Sequence, residues 1–182
     1  MNHIKRNKHH GRSQGDGFTL TEMLTTTAII TSLATIALPT YLGEKKASCQ
    51  GYPESIINQA MTQVQAHNDE YGAGPSSWSD LNRIATLMTK SGPAAGDSLS
   101  WIELAQCGYK LKAIQNESIY TFIAAQTGAF IDDPQAEENN LKAEDNTYNV
   151  IGCLNTLTGA SDIKRGNGTT AAELSALSCS QS

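Results

Sequence analysis

Histidine is scarce in this 182-residue chain: His3, His9 and His10 fall within the first ten positions, which leaves His67 alone thereafter. Neither G-x-S-x-G nor H-E-x-x-H accompanies it, so a hydrolytic triad or a zinc peptidase site has no framework. His67 reads as a surface or helix-packing residue. No C-x-x-C pair exists either. Cys49, Cys107, Cys153 and Cys179 are separated by 58, 46 and 26 residues, which speaks against zinc or thioredoxin-like chemistry. Cations are outnumbered, thirteen basic against eighteen acidic side chains for a net charge of −5, so the surface as a whole is not a phosphate-binding footprint. Charged residues are only 17% of the chain, too few for a highly charged disordered tail. Gly166-Asn-Gly168-Thr-Thr-Ala171 fits G-x-G-x-x-A formally, but the eleven residues after it cannot complete a βαβ unit. These absences predict a protein that is not an enzyme, with no resident cofactor and no metal ligand set.

What is present is concentrated near the start. Lys5, Arg6, Lys8 and Arg12 face only Asp16 among residues 1–17, a net of +3, so that the remaining residues carry −5 less +3, or −8. Within Phe18–Leu42 the only charge is Glu22, and Met23–Gly43 is an uncharged run of 21 residues. As a helix that run is about 31 Å long, enough for a hydrocarbon core of roughly 30 Å. Lys45 and Lys46 follow it. The weight of cations ahead of the run predicts a cytoplasmic N-terminus with everything after Leu42 outside. A cleaved secretory signal would have a shorter apolar region, although Ala34-Thr-Ile-Ala37 has the outline of its cleavage site. A lipoprotein reading of Lys46-Ala-Ser-Cys49 meets lysines where an apolar residue is wanted. A buried core helix leaves the basic leader unexplained.

A carboxylate five residues into such a segment costs on the order of 2.5–3.5 kcal/mol at a helix centre and less near its end. It calls for a partner. Cleavage between Gly17 and Phe18 would create one, since a free α-amino group has a pKa of about 7.7–8.0 and is cationic at neutrality. Glu22 of a neighbouring copy could neutralise that cation and fix the axial register of helices packed side by side.

The basic leader ending in Gly17, the sequence Phe18-Thr-Leu-Thr-Glu22 and the long apolar run together resemble the type IV prepilins. That resemblance covers about the first quarter of the chain. It implies that a membrane peptidase cuts after Gly17 and N-methylates Phe18, that Glu22 is the assembly residue, and that Pro39 is the helix-kinking proline. The kink also follows from chemistry: proline donates no N–H, and its ring crowds the carbonyl of Thr35. The resemblance further implies a single-pass, N-in protein of the bacterial inner membrane that later enters a periplasmic or cell-surface pilus. Its partners would be other pilin subunits and the prepilin peptidase and methylase. The chain departs from the family pattern in its eight threonines between Thr19 and Thr40, and in having no glycine between Phe18 and Tyr41. Thr27, Thr31 and Thr35 share one helix face. Their hydroxyls either line a close helix contact or bond back to carbonyls one turn earlier, and the second reading is preferred.

The predicted organisation is a leader at 1–17, a transmembrane and assembly helix at 18–42 and an exported head at 43–182. In the head, Ile56, Ile57, Ala60, Met61, Val64 and Tyr71 carry helical spacing, and the resemblance implies one long helix from Phe18 to about Glu70. Gly51 and Pro53 predict a kink or short break within it. Ser77-Trp-Ser-Asp80 reads as a capping box for a helix with Leu81, Ile84, Ala85 and Met88 on one face. Strands are predicted at Tyr109–Ala113, Ile119–Ile123 and Tyr148–Cys153, and a short helix at Thr169–Leu177. The expected fold class is α+β, a long N-terminal helix packed on an antiparallel sheet, as in type IV pilins. All four cysteines fall on the exported side, where two disulfides are the better reading than free thiols. Of three connectivities, pairing in sequence order, Cys49–Cys107 and Cys153–Cys179, ties the helix to the sheet and the C-terminal segment to its strand.

Two charge clusters complete the inventory. Asp132, Asp133, Glu137, Glu138, Glu144 and Asp145 crowd a stretch opposed by Lys142; calcium uses such oxygens, but the spacing fits no EF-hand, and a solvated acidic loop is the preferred reading. Lys164-Arg165 is of interest for nucleic acid only because some pilins take up DNA, and the net charge of −8 beyond the leader does not support that partner. The expected function is a structural subunit of a type IV pilus or pilus-like filament. Minor pilin, type II secretion pseudopilin, and filament-tip adhesin or DNA-uptake receptor are the alternatives.

Overall fold

The computed structural model describes residues 18–126 and 146–179. The chain divides into two compact units, with the boundary between Tyr41 and Leu42. Helix α1, Leu20–Cys49, begins in the first unit and ends in the second. Position 39 lies within the helical span, where proline leaves the Thr35 carbonyl without its backbone donor.

In the first unit the exposed large side chains of Leu20, Met23, Leu24, Ile29, Ile30, Leu33, Ile36 and Leu38 point all round the helix. A helix apolar on every side suits hydrocarbon or a bundle core rather than a water-facing surface. The threonines bond back. Thr27 Oγ1 donates to Met23 O and Leu24 O, Thr31 Oγ1 to Thr27 O at 2.8 Å, and Thr35 Oγ1 to Ser32 O at 2.8 Å. Thr25, Thr26 and Thr40 do the same, so these six hydroxyls are satisfied within their own helix and need neither water nor a neighbour.

The second unit is α+β. Helix α1 gives way at Gln50 to α2, Gly51–Tyr71. The one-residue interruption has a local cause: Pro53 has no N–H for the Cys49 carbonyl four residues back. Gln50 N–H bonds in the tighter i−3 pattern to Ala47 O at 3.2 Å. The break therefore sits where Gly51 and Pro53 predict it. Gly72, at φ 70, ends α2 in the left-handed conformation, as glycine permits without a Cβ penalty.

Helix α3, Trp78–Ile84, follows. It is shorter than its spacing predicts: Ala85 is already extended, Leu87 N–H is taken by Asn82 Oδ1 at 3.0 Å, and Met88 belongs to a strand. Leu87 rather than Met88 enters the core. Met88–Thr89 (β1) and Gly92–Pro93 (β2) form a small antiparallel hairpin.

The main sheet is a five-stranded antiparallel meander of Ile102–Glu103 (β3), Tyr109–Asn116 (β4), Ile119–Gln126 (β5), Val150–Asn155 (β6) and Ser161–Arg165 (β7). The three predicted strands are its centre; β3 and β7 are too short for periodicity to reveal. Asn116 pairs with Ile119, so Glu117-Ser118 closes a two-residue turn, with Glu117 at φ 53. Tyr109, Leu111 and Ala113 of β4, Tyr120, Phe122 and Ala124 of β5, and Val150 and Leu154 of β6 join Ile57, Ala60, Met61 and Val64 of α2 in one core. Gly152 lets β6 approach that helix: a Cβ there would lie 2.7 Å from Ile57 Cγ2. Burial pushes the Tyr109 and Tyr120 phenols up to about 12.

Strand β6 is buried on both faces. Its side away from α2 is covered by the C-terminal segment. Asn149 Nδ2 donates to Ala172 O at 2.9 Å and its Oδ1 accepts from Ala172 N–H at 2.7 Å. Cys153 is bonded to Cys179. Within Thr169–Leu177 only Leu174–Ala176 is helical, as a single 3₁₀ turn.

Candidate functional site

The N-terminal segment is the candidate site. Gly17 lies outside the described residues. Phe18, which directly follows it, is exposed. Glu22 is not idle: its Oε2 accepts from Thr19 N–H at 2.8 Å and from Thr19 Oγ1 at 2.8 Å, while Glu22 N–H donates to Thr19 Oγ1 at 3.2 Å. This is a reciprocal capping box, with Thr19 as the cap and Glu22 three residues on. It satisfies donors at the helix start that otherwise have no partner. The pattern is spelled in the sequence as Thr19-Leu-Thr-Glu22, a local signal for the cap that is independent of the charge of Glu22. Both contacts to the carboxylate fall on Oε2, so the group is held at the helix end without being enclosed. Among the described residues, one helix is long and apolar enough to cross a membrane.

The junction between α1 and the head is a second cluster. Cys49, the last residue of α1, is bonded to Cys107 in the turn between β3 and β4. Cys107 and Gly108 both have left-handed backbones, φ 59 and φ 62. Gln50 Nε2 donates to Gly166 O at 2.8 Å. Lys46 Nζ lies 5.9 Å from the ring centre of Tyr148, whose carbonyl accepts from Tyr109 Oη at 2.8 Å. Gln50 and Tyr148 carry no sequence signal: a glutamine and a tyrosine become anchors only once the sheet brings residues 148–149 and 166 beside the helix.

The remaining candidates resolve into structure. The disulfides are Cys49–Cys107 and Cys153–Cys179, the pairs of sequence-order connectivity. His67 is buried, with Nδ1 2.9 Å from Ala73 O and its ring 4.5 Å from that of Tyr71, a helix-packing role. Lys164 pairs with Asp162 at 3.4 Å, and Arg165 pairs with Glu54. Partial burial opposes ionisation of Asp162, but the Ser178 hydroxyl and N–H, with Lys164, outweigh it and hold its carboxyl below the usual range. The basic pair thus has acidic partners within the head, which lowers the charge available to a phosphate. Gly166–Ala171 is a compact turn in which Asn167 Oδ1 accepts from Thr169 and Thr170 N–H. Asp132, Asp133, Glu137, Glu138, Lys142, Glu144 and Asp145 lie outside the described residues. Among the described residues no group of three or more metal-ligating side chains is gathered.

No protein-family model matches the chain, and neither a curated protein nor a solved structure does. The functional reading therefore rests on the residues themselves.

Proposed function

We propose that this protein is a structural subunit of a type IV pilus or pilus-like filament. It is made as a prepilin, cut after Gly17, N-methylated at Phe18 and polymerised through its apolar N-terminal helix. The observation that carries the reading is the combination of one carboxylate, Glu22, with 21 uncharged residues behind it and a Gly17-Phe18 junction ahead of it. Three further features support it. The helix is apolar on every side, so it gains by exchanging water for lipid or for its own copies. The hydroxyls of Thr25, Thr26, Thr27, Thr31, Thr35 and Thr40 bond to carbonyls of their own helix, so lateral packing does not strand them. Glu22 is held at the helix start by Thr19, one residue after the amine that cleavage would release.

On this reading the membrane is a holding site and the filament is the product. The Phe18 ammonium of an incoming subunit meets Glu22 of its neighbour in an apolar core. At about 4 Å and an effective dielectric near 20 the attraction is about 4 kcal/mol, before desolvation is set against it. Methylation keeps that charge. Pro39 would bend the helix between its membrane part and the head.

Substituting Glu22 with Ala separates the steps. The variant is expected to insert and be processed, but to yield at least about tenfold less sheared filament, the loss that 1.4 kcal/mol of pairing would give. Filaments at wild-type yield would remove the pairing argument. Abundance in the sheared fraction also distinguishes a main subunit from a minor one.

A further inference from the structure

We infer that the Cys49–Cys107 disulfide is a redox-labile clamp on the junction between α1 and the head, open to a dithiol reductant that leaves Cys153–Cys179 intact. The inference does not depend on the filament reading.

The two disulfides lie in different surroundings. Cys153 and Cys179 are 3% and 2% exposed. They are covered by a segment that Asn155 Nδ2 holds through Cys179 O, and that Asp162 holds through Ser178 N–H and Oγ at 3.2 and 3.0 Å. Cys107 is exposed, and Cys49 is half-buried against the edge of the core. Thiol–disulfide exchange needs a thiolate to reach a sulfur, so access decides which bond opens first. The exposed partner is Cys107, in a turn flanked by exposed residues on both sides.

The position gives the chemistry a consequence. Cys49 directly precedes the helix interruption at Gln50, where Pro53 supplies no N–H for the Cys49 carbonyl. Backbone continuity between α1 and α2 is therefore weakest at the clamped residue. The other ties at the junction are a few side-chain contacts: Gln50 Nε2 to Gly166 O and Asn149 O, and Lys46 over the Tyr148 ring. The chain between the two cysteines is held independently by core residues such as Ile57, Val64, Trp78 and Leu81, so opening the clamp frees the junction and not that stretch.

The exchange is balanced. A thiolate of the dithiol attacks Cys107 Sγ, the Cys49–Cys107 bond breaks and Cys49 leaves as thiolate. The second thiol of the reductant then attacks its own mixed disulfide and expels Cys107. The dithiol is oxidised to a disulfide, two electrons pass to the cysteine pair, and two protons leave both as thiols. The end of α1 is then released from the turn between β3 and β4 while the sheet and its C-terminal strap stay closed.

The test uses the full chain in detergent micelles, titrated with dithiothreitol, quenched by alkylation at intervals and mapped by mass. Cys49 and Cys107 are expected to be alkylated at least about tenfold sooner than Cys153 and Cys179. Amide exchange should then rise over residues 42–54 while 150–154 stays protected. Equal rates for the two pairs, or earlier opening of Cys153–Cys179, would overturn the inference. So would unchanged exchange over 42–54 once Cys49–Cys107 alone is open. A Cys49→Ser, Cys107→Ser double variant that retains Cys153–Cys179 should show the same raised exchange without reductant, and wild-type protection in it would equally refute the clamp.

Discussion

Ser77 caps α3 by accepting from Asp80 N–H at 3.1 Å. Ser77→Ala is expected to cost about 1 kcal/mol, read as a lower denaturation midpoint in urea. Asp80 is held below the usual carboxylate range by the Ser77 hydroxyl first, then by Ser76 N–H and hydroxyl and by Arg83, against a smaller opposing effect of burial. The folded value being the lower one, this contribution is complete above the unfolded value of about 3.9 and is lost as pH falls through the folded value. Wild type should therefore exceed Asp80→Asn in urea midpoint at about pH 6, and the gap should narrow as acidification proceeds below the unfolded value. A gap that persists in acid would contradict the assignment. The serine cap was legible because S-x-x-D is a local pattern. That Asp80 reaches back to Ser76 rather than to Ser77 N–H was not, because a one-residue shift in the returning carboxylate leaves the pattern unchanged.

At the scale of elements, the join between β6 and α2 rests on the absence of a side chain. Gly152→Ala would set a methyl 2.7 Å from Ile57 Cγ2 and 3.3 Å from Ile163 Cγ1, an overpacking expected to cost about 1–3 kcal/mol by chemical denaturation. The Cys153–Cys179 bond closes a 26-residue loop, and replacing both by Ser should cost roughly 3–4 kcal/mol in the chain-entropy account. Near-wild-type midpoints in either variant would contradict these contacts. The helix break and the three central strands were legible because Pro53 and the alternation Tyr109-Lys-Leu-Lys-Ala113 act locally. The burial of β6 on both faces was not: Val150, Ile151, Gly152 and Cys153 lack a period of two, since the C-terminal strap covers the second face. Met88 was misplaced for a related reason. Its spacing continued the helix, while Asn82 Oδ1 had already captured the Leu87 N–H.

For the molecule as a whole, the α+β head and the apolar N-terminal helix are structural facts, and their use in a filament is the proposal. The candidate segment was legible through its charge pattern, since 21 uncharged residues behind one acid need no tertiary context to stand out. The Cys49–Cys107 tie was legible from cysteine order, whereas the contacts of Gln50 with Asn149 and Gly166 were not, because those partners lie about a hundred residues away in sequence. The measurement that bears most directly on the central claim is the intact and N-terminal mass of the protein from its native membrane or filament. The account predicts a chain that begins at Phe18 and carries one methyl group, about 14 Da, on its amino terminus. A native chain that starts at any other residue, or that retains residues 1–17, would contradict it.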